Sequence, residues 1–175
     1  MTPATERFVL QWGEMGSRWG VNRSVAQIQA YLFVAAEPKN AEDIANDLNL
    51  ARSNVSNSLK ELLNYRLIEP MPVKGDRRDF YHAETDPWEV MMRLSEARKQ
   101  REIDPALLML EQAVEEIRAE GMAEPVVAKR LEDLNGLLTQ MASWYEQVKR
   151  LPKPVLRTLV KLGGKVGSFV KKTDA

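Results

Sequence analysis

Asn40-Ala-Glu-Asp-Ile-Ala-Asn-Asp-Leu48, Asn49-Leu-Ala51 and Arg52-Ser-Asn-Val-Ser-Asn-Ser-Leu-Lys-Glu-Leu-Leu-Asn64 follow one another without a break, and their reading decides the fold. Asn40-Ala-Glu-Asp43 starts a helix. Ile44, Ala45 and Leu48 then give a short helix, Ala41–Leu48, one apolar face. Asn49-Leu50-Ala51 reads as a tight turn with one apolar residue pointing inward. A second helix covers Arg52–Asn64, and its Val55, Leu59, Leu62 and Leu63 fall at i, i+4, i+7 and i+8, again one face. Opposite them, a polar face centred on Asn57 holds Ser53, Asn54, Lys60, Glu61 and Asn64, with Arg52 and Ser56 beside it. Asn bonds adenine bidentately, Ser serves either base type, and Arg or Lys prefers guanine or phosphate. The run Ser53-Asn-Val-Ser-Asn-Ser58 is poor in helix formers. A merely solvated face would more often carry Glu and Lys, so the composition points to reading of base edges. The plainer alternative is a surface helix with a long polar start.

Downstream, the periodicity changes from helix to strand. Leu67–Val73 and Asp79–Ala83, joined at Lys74-Gly75-Asp76, read as a β-hairpin. Pro70 and Pro72 lack N–H groups on the same side, which suits an edge strand. At the hairpin tip, Lys74, Arg77 and Arg78 are placed to reach phosphates or a narrow minor groove. Asp76 can hold one guanidinium bidentately and fix its direction. Helix, turn, helix and hairpin in this order are the layout of a winged helix-turn-helix.

Upstream, Thr2-Pro3 is an N-cap and N1 pair opening a helix to about Gly16, and Ser24-Val-Ala-Gln27 is a capping box opening another, ended by Glu37-Pro38. Asp86-Pro87 and Asp104-Pro105 open two further helices, and Gly121 and Glu124-Pro125 separate the second of these from a long one, Pro125 to about Lys149. In that long helix Val127, Leu131, Leu134, Leu138, Met141, Tyr145 and Val148 recur at alternating spacings of four and three, an a/d seam, widened by Leu137, Trp144 and Leu151. At about 37 Å the helix is too long for one winged helix to cover, so a second copy of the chain is the expected partner. A monomeric helical bundle is the alternative. From Leu151 the tail carries Val155, Leu156, Leu159, Val160, Leu162, Val166, Phe169 and Val170 among basic residues, with Gly163, Gly164 and Gly167 expected to weaken its helix. It reads as docking on the acidic middle of the chain, not on a membrane. The expected organisation is a winged helix-turn-helix over 1–85, a helical dimerisation region over 86–150 and a basic amphipathic tail over 151–175: mostly α, with a small β wing.

Composition narrows the function. The 175 residues hold 25 Lys and Arg, 25 Asp and Glu, no Cys and one His, His82. Without Cys there is neither a disulfide framework nor a thiolate zinc site, and a lone His excludes multi-His metal sites and most His-assisted nucleophiles. No metal, no cofactor and no catalytic constellation is expected, so the chain does not read as an enzyme. No apolar run is long enough to span a bilayer and no signal peptide opens the chain, so the expected location is cytoplasmic. Zero net charge is a cancellation: residues 84–150 carry a net −5 and residues 151–175 a net +5. Locally, residues 52–66 carry a net +2 and residues 74–79 a net +1, a modest basic footprint suited to specific contacts more than to tight non-specific binding.

Asn22-Arg-Ser-Val-Ala-Gln-Ile-Gln-Ala30, Asn40-Ala-Glu-Asp-Ile-Ala45, the stretch Ala51–Leu62 and Gly75-Asp-Arg-Arg-Asp79 together resemble the GbsR subgroup of the MarR-type transcriptional regulators. The resemblance continues through Asp86-Pro-Trp-Glu and Arg98-Lys-Gln-Arg-Glu-Ile-Asp-Pro105. It implies a dimeric bacterial repressor with its second helix in the major groove, and Asp76 and Arg78 matching an Asp-x-Arg wing motif. Some members of the subgroup respond to choline. Trp12, Trp19 and Trp88 are candidates for an aromatic cage around a quaternary ammonium, though aromatic residues at helical spacing are more often core. The sequence-based expectation is thus a homodimeric repressor that reads a palindrome in double-stranded DNA through Arg52, Ser53, Asn54, Ser56, Asn57 and Lys60, with Lys74, Asp76, Arg77 and Arg78 in the wing, tuned by a small effector. The alternative is a winged-helix protein-interaction module that does not bind DNA specifically.

Overall fold

The computed structural model describes residues 1–120 and 124–170, with side-chain surroundings for all of these except 120 and 164–170. Thr2 caps the first helix, α1 (Pro3–Arg18), its hydroxyl accepting from the Thr5 amide. The next helix, α2 (Arg23–Val34), is capped by Asn22, whose Oδ1 accepts from the Ser24 amide at 2.9 Å. Ser24 is therefore not the cap expected from its capping box. It is the second residue of the helix, and its hydroxyl has another use. The helix also stops before Glu37-Pro38, with Ala35 already extended.

A two-residue strand, β1 (Lys39–Asn40), precedes α3 (Ala41–Leu48) and α4 (Arg52–Asn64). Asn49 ends α3 in the left-handed region at φ 50°, which Asn tolerates better than most residues. Leu50 follows it inward, packed on the core. The wing is β2 (Ile68–Met71) and β3 (Phe80–Ala83), antiparallel, with Pro70 opposite Tyr81. The short β1 pairs with the far side of β3, giving the order β1-β3-β2. Pro70 therefore sits on an edge strand, where a missing N–H costs no ladder bond. Two residues are too few to show a period, so β1 had no sequence signal.

The chain divides into two compact units, Met1–Leu94 and Ser95–Ala175. The division falls later than residue 86 because the helix opened by Pro87, α5 (Pro87–Arg98), begins as part of the first unit. Val90 is buried in that unit's core, and Arg93 donates to the Arg66 carbonyl and pairs with Glu84 at 2.9 Å. Within that core, Ile28, Ile44, Val55, Leu62, Leu67 and Ile68 are essentially inaccessible.

In the second unit Asp104 does not cap a new helix. Its backbone is helical, and a π-helical turn, Lys99–Ile103, runs directly into α6 (Asp104–Glu120). A π turn widens the backbone just where Pro105 supplies no N–H and its ring would crowd the carbonyl four residues back. The Asp104 carboxylate pairs instead with Lys99, 2.8 Å away. Glu124 precedes α7 (Pro125–Val148), none of whose residues is buried, and α8 (Lys153–Val170) runs through its glycines. The expected break at Gly121, and the surroundings of Gly164, Val166, Gly167, Phe169 and Val170, lie outside the described residues. Among the described residues no helix is long and apolar enough to cross a membrane.

Close approach of α1 and α2 depends on two glycines. A Cβ at Gly16 would stand 2.5 Å from the Ala26 Cβ, and one at Gly13 would stand 2.3 Å from Cγ of Gln27. Gly16→Val should therefore destabilise the fold by about 1–3 kcal/mol through overpacking. Urea denaturation measures this, and an unchanged midpoint would contradict the packing described.

Candidate nucleic-acid interface

The interface is built on α4. Val55, Leu59 and Leu62 are buried as expected, but Leu63 is only half-buried and Ser58 is 2% exposed. The buried face is thus rotated past Val55 toward Ser58, which turns Asn54 and Glu61 partly inward. Asn54 Nδ2 donates to Ser24 Oγ at 2.7 Å, tying the start of α4 to α2. Glu61 accepts from the Tyr65 hydroxyl at 3.2 Å. What remains exposed is Arg52, Ser53, Ser56, Asn57, Lys60 and Asn64, a face centred on Ser53 and Lys60, about 60° from Asn57 at 3.6 residues per turn. Five of the six candidate α4 residues stand together on this surface; Asn54 does not.

The wing tip turns at Gly75, whose φ of 88° favours glycine. The Arg78 guanidinium grips Asp76, with Nε 3.0 Å and Nη2 2.5 Å from Oδ2, while the Arg78 amide donates to Oδ1 at 2.9 Å. The arginine side chain also lies over the Phe80 ring, 5.5 Å from its centroid. These bonds from the Arg78 side chain and backbone hold the Asp76 carboxyl down at about 2, against an ordinary 3.8, and the same partner raises the pKa of Arg78. The bidentate pair anticipated at this position is thus present, and it leaves Lys74 and Arg77 exposed beside it.

Sequence reasoning missed Glu42. It stands in the first turn of α3, its Oε1 2.7 Å from Arg52 Nη2 and its Oε2 3.7 Å from Arg78 Nη1. Asn40 fixes the start of that turn: its Oδ1 accepts from the amides of Glu42 and Asp43, and its Nδ2 donates to Asp43. A groove of about 340 Å³ lies between these elements, lined by Asn40, Glu42, Arg52, Arg77, Arg78 and Tyr81 among others. The signal was present as an acidic first turn, but only tertiary structure brings the wing to it.

Residues 21–87 match the family model of winged helix DNA-binding domains. That span contains all of α2 to β3 and every residue of the surface just described. Over a longer stretch the chain is similar to the HTH-type transcriptional repressor OpcR of Bacillus subtilis (strain 168), 18% identical over 151 residues, covering 85% of this chain and 82% of that protein. It is also similar to the HTH-type transcriptional regulator MmpR5 of Mycobacterium tuberculosis (strain ATCC 25618 / H37Rv), 26% identical over 141 residues, covering 79% of this chain and 81% of that protein. The crystal structure of a transcriptional regulator superposes with a TM-score of 0.64 at 23% identity, covering 83% of this chain and 95% of that one, a likeness of fold.

The three tryptophans occupy different surroundings. Trp12 packs on the core and tilts against Phe8, ring centroids 5.6 Å apart; Trp19 is 57% exposed at the end of α1; Trp88 is half-buried at the start of α5.

Because the folded pKa of Asp76 is depressed, its pair with Arg78 contributes fully above pH about 4 and is lost as pH falls through about 2. An NMR titration of the Asp76 carboxyl should give a midpoint near 2. A midpoint at 3.8, the ordinary value, would mean the pair does not hold in solution.

Proposed function

We propose that this chain is a transcription regulator of the GbsR subgroup of MarR-type proteins, a cytoplasmic repressor that binds a palindromic operator as a homodimer. The observation that carries the reading is the exposed polar face of α4 beside a wing whose arginine is fixed by Asp76, all inside the span that matches winged helix DNA-binding domains. In this reading Ser53, Ser56, Asn57 and Lys60 meet base edges and nearby phosphates in the major groove, while Arg77, Arg78 and Lys74 meet the backbone alongside. Naming of OpcR as a repressor supports the direction of control.

The dimer reading is supported by α7. Of the expected seam, Val127, Leu134 and Met141 are exposed and Leu131, Leu138, Tyr145 and Val148 half-buried. Leu137 and Trp144, beside the seam, are 54% and 64% exposed. So much uncovered apolar surface on one helix suits burial against a second copy. Two-fold symmetry would then set two α4 helices about one DNA turn apart, roughly 34–36 Å, and make the operator a palindrome. A small effector completes the reading, choline-like by the GbsR resemblance.

Selection from random-sequence duplexes should enrich a palindrome, and sedimentation should give about twice the 19.9 kDa chain mass. No enriched motif sinks the regulator reading; a 19.9 kDa species at micromolar concentration sinks the dimer. On the selected site, Asn57→Ala should relax preference at one base position, at a cost of about 1–3 kcal/mol, and Arg78→Ala should weaken all sequences alike. Asn54→Ala should leave the preferred sequence unchanged while lowering stability by about 1 kcal/mol, the worth of one internal hydrogen bond. Fluorescence anisotropy with single-base operator variants, and thermal melting, separate the three.

A further inference from the structure

Two arginines of the candidate DNA surface spend their closest contacts on carboxylates of the protein itself. Arg78 is gripped by Asp76. Arg52 has a side chain that is 79% exposed, yet its Nη2 is 2.7 Å from Glu42 Oε1. The second oxygen of the same carboxylate faces Arg78 Nη1 at 3.7 Å. One acidic residue therefore stands between the start of the recognition helix and the wing, across the groove that separates them. Helix α3 has its own use for a negative charge in its first turn, but that use does not require the side chain to reach across to two guanidinium groups.

We propose that Glu42 restrains the DNA affinity of this surface: it occupies Arg52 and faces Arg78 while DNA is absent, so that any phosphate must displace a carboxylate to engage them. On a random sequence, phosphate contacts supply essentially all the affinity, and the competition is felt in full. On a matched site the same carboxylate must be displaced, so the cost is subtracted there as well, and base contacts that Glu42 does not oppose are added on top. Glu42 thereby lowers affinity for any duplex and leaves discrimination to the base contacts. An exposed ion pair is weak, so it restrains binding without preventing it. The inference rests on the DNA-binding reading above.

The test compares Glu42→Gln with the wild-type full-length chain on the selected duplex and on a random-sequence duplex, across a salt series. Glu42→Gln should bind the random duplex about 3–10-fold more tightly, with the slope of log affinity against log salt steeper by about 1 for each recognition helix. The matched duplex should gain by a similar factor, because the same displacement is needed there. Adding Arg52→Ala to the same chain should remove the gain, because the freed guanidinium is its source. Glu42→Asp keeps the charge at the helix start but is one methylene short of Arg52, and should show the same direction of change. It also serves as the second variant should the amide impair folding, which thermal melting reports. An unchanged affinity and slope overturn the inference. So does a gain that survives Arg52→Ala, which would mark a general charge effect, or a proportionate loss on both duplexes, which would mark a structural role. If the wild-type chain itself prefers no sequence, the DNA-binding reading fails and this inference with it. If the wild type prefers its site and Glu42→Gln matches it, this inference alone fails.

Discussion

Burial of α2 on several sides is the constraint from which the rest of the first unit follows. Every residue from Ser24 to Leu32 is buried, and the helix is contacted by α1, α4 and β3. Full burial of an Ile or Leu is worth about 1.5–3 kcal/mol, so Ile28 and Leu32 alone contribute on the scale of a domain's net stability, about 5–15 kcal/mol. A helix enclosed in this way cannot keep all its polar residues in water. Ser24, Gln27 and Gln29 are therefore inside, and each needs a neighbour that tolerates it. Ser24 finds Asn54, and Gln27 lies against the bare backbone of Gly13. The two glycines of α1 are a consequence of how close that helix must come.

The same constraint decides which side chains of α4 remain for a partner. Val55, Ser58, Leu59 and Leu62 go inward, and Asn54 is drawn after them by its bond to Ser24. The exposed surface is then what that rotation leaves, and it differs from the face opposite an apolar stripe counted at ideal spacing. Its electrostatics are also set by neighbours. Arg52 and Arg78, two of its cations, are answered by Glu42 and Asp76 at hydrogen-bonding distance, so the local positive charge is smaller than a count of basic residues suggests. A chain with 25 basic and 25 acidic residues thus has a candidate DNA surface without a large basic patch: two of its cations are held by carboxylates, and Lys60, Lys74 and Arg77 remain exposed.

Much of this was legible from local chemistry. The bounds of α3 and α4, the edge position of Pro70, the turn at Gly75 and the Asp76–Arg78 pair all follow from contacts within a few residues, where residue type dictates geometry. The readings that failed were of features set over longer distances. Ser24 looked like a cap because its motif matched, but the helix starts one residue earlier and Asn22 caps it, accepting from the amide of Ser24 itself. Asn54 looked exposed because nothing in its own helix says that α2 lies beside it. Asp104-Pro105 had the chemistry of a helix start, yet a π turn absorbed the proline within a continuing helix. Strand β1 is two residues long and exists only as a partner of β3. Glu42 sits ten residues from Arg52 and is brought near Arg78 only by the wing.

The second unit, Ser95–Ala175, bears on how tightly such a surface can bind. A single winged helix with a net +2 on its recognition segment and +1 on its wing has too few cations for tight binding by phosphate neutralisation alone. Affinity must come from matched base contacts or from repetition of the module. Repetition needs a surface that holds two copies at a fixed spacing, and α7 has the character such a surface requires: 24 residues, none buried, with Leu134, Leu137, Met141 and Trp144 between 44% and 64% exposed. Left in water, such a stripe would forgo burial worth about 25 cal/mol for each Å² of apolar surface. The restrained charge of the DNA surface and the uncovered face of α7 are thus complementary. Under the proposed dimer each module is weak enough that pairing matters, and α7 is the helix that would pair them.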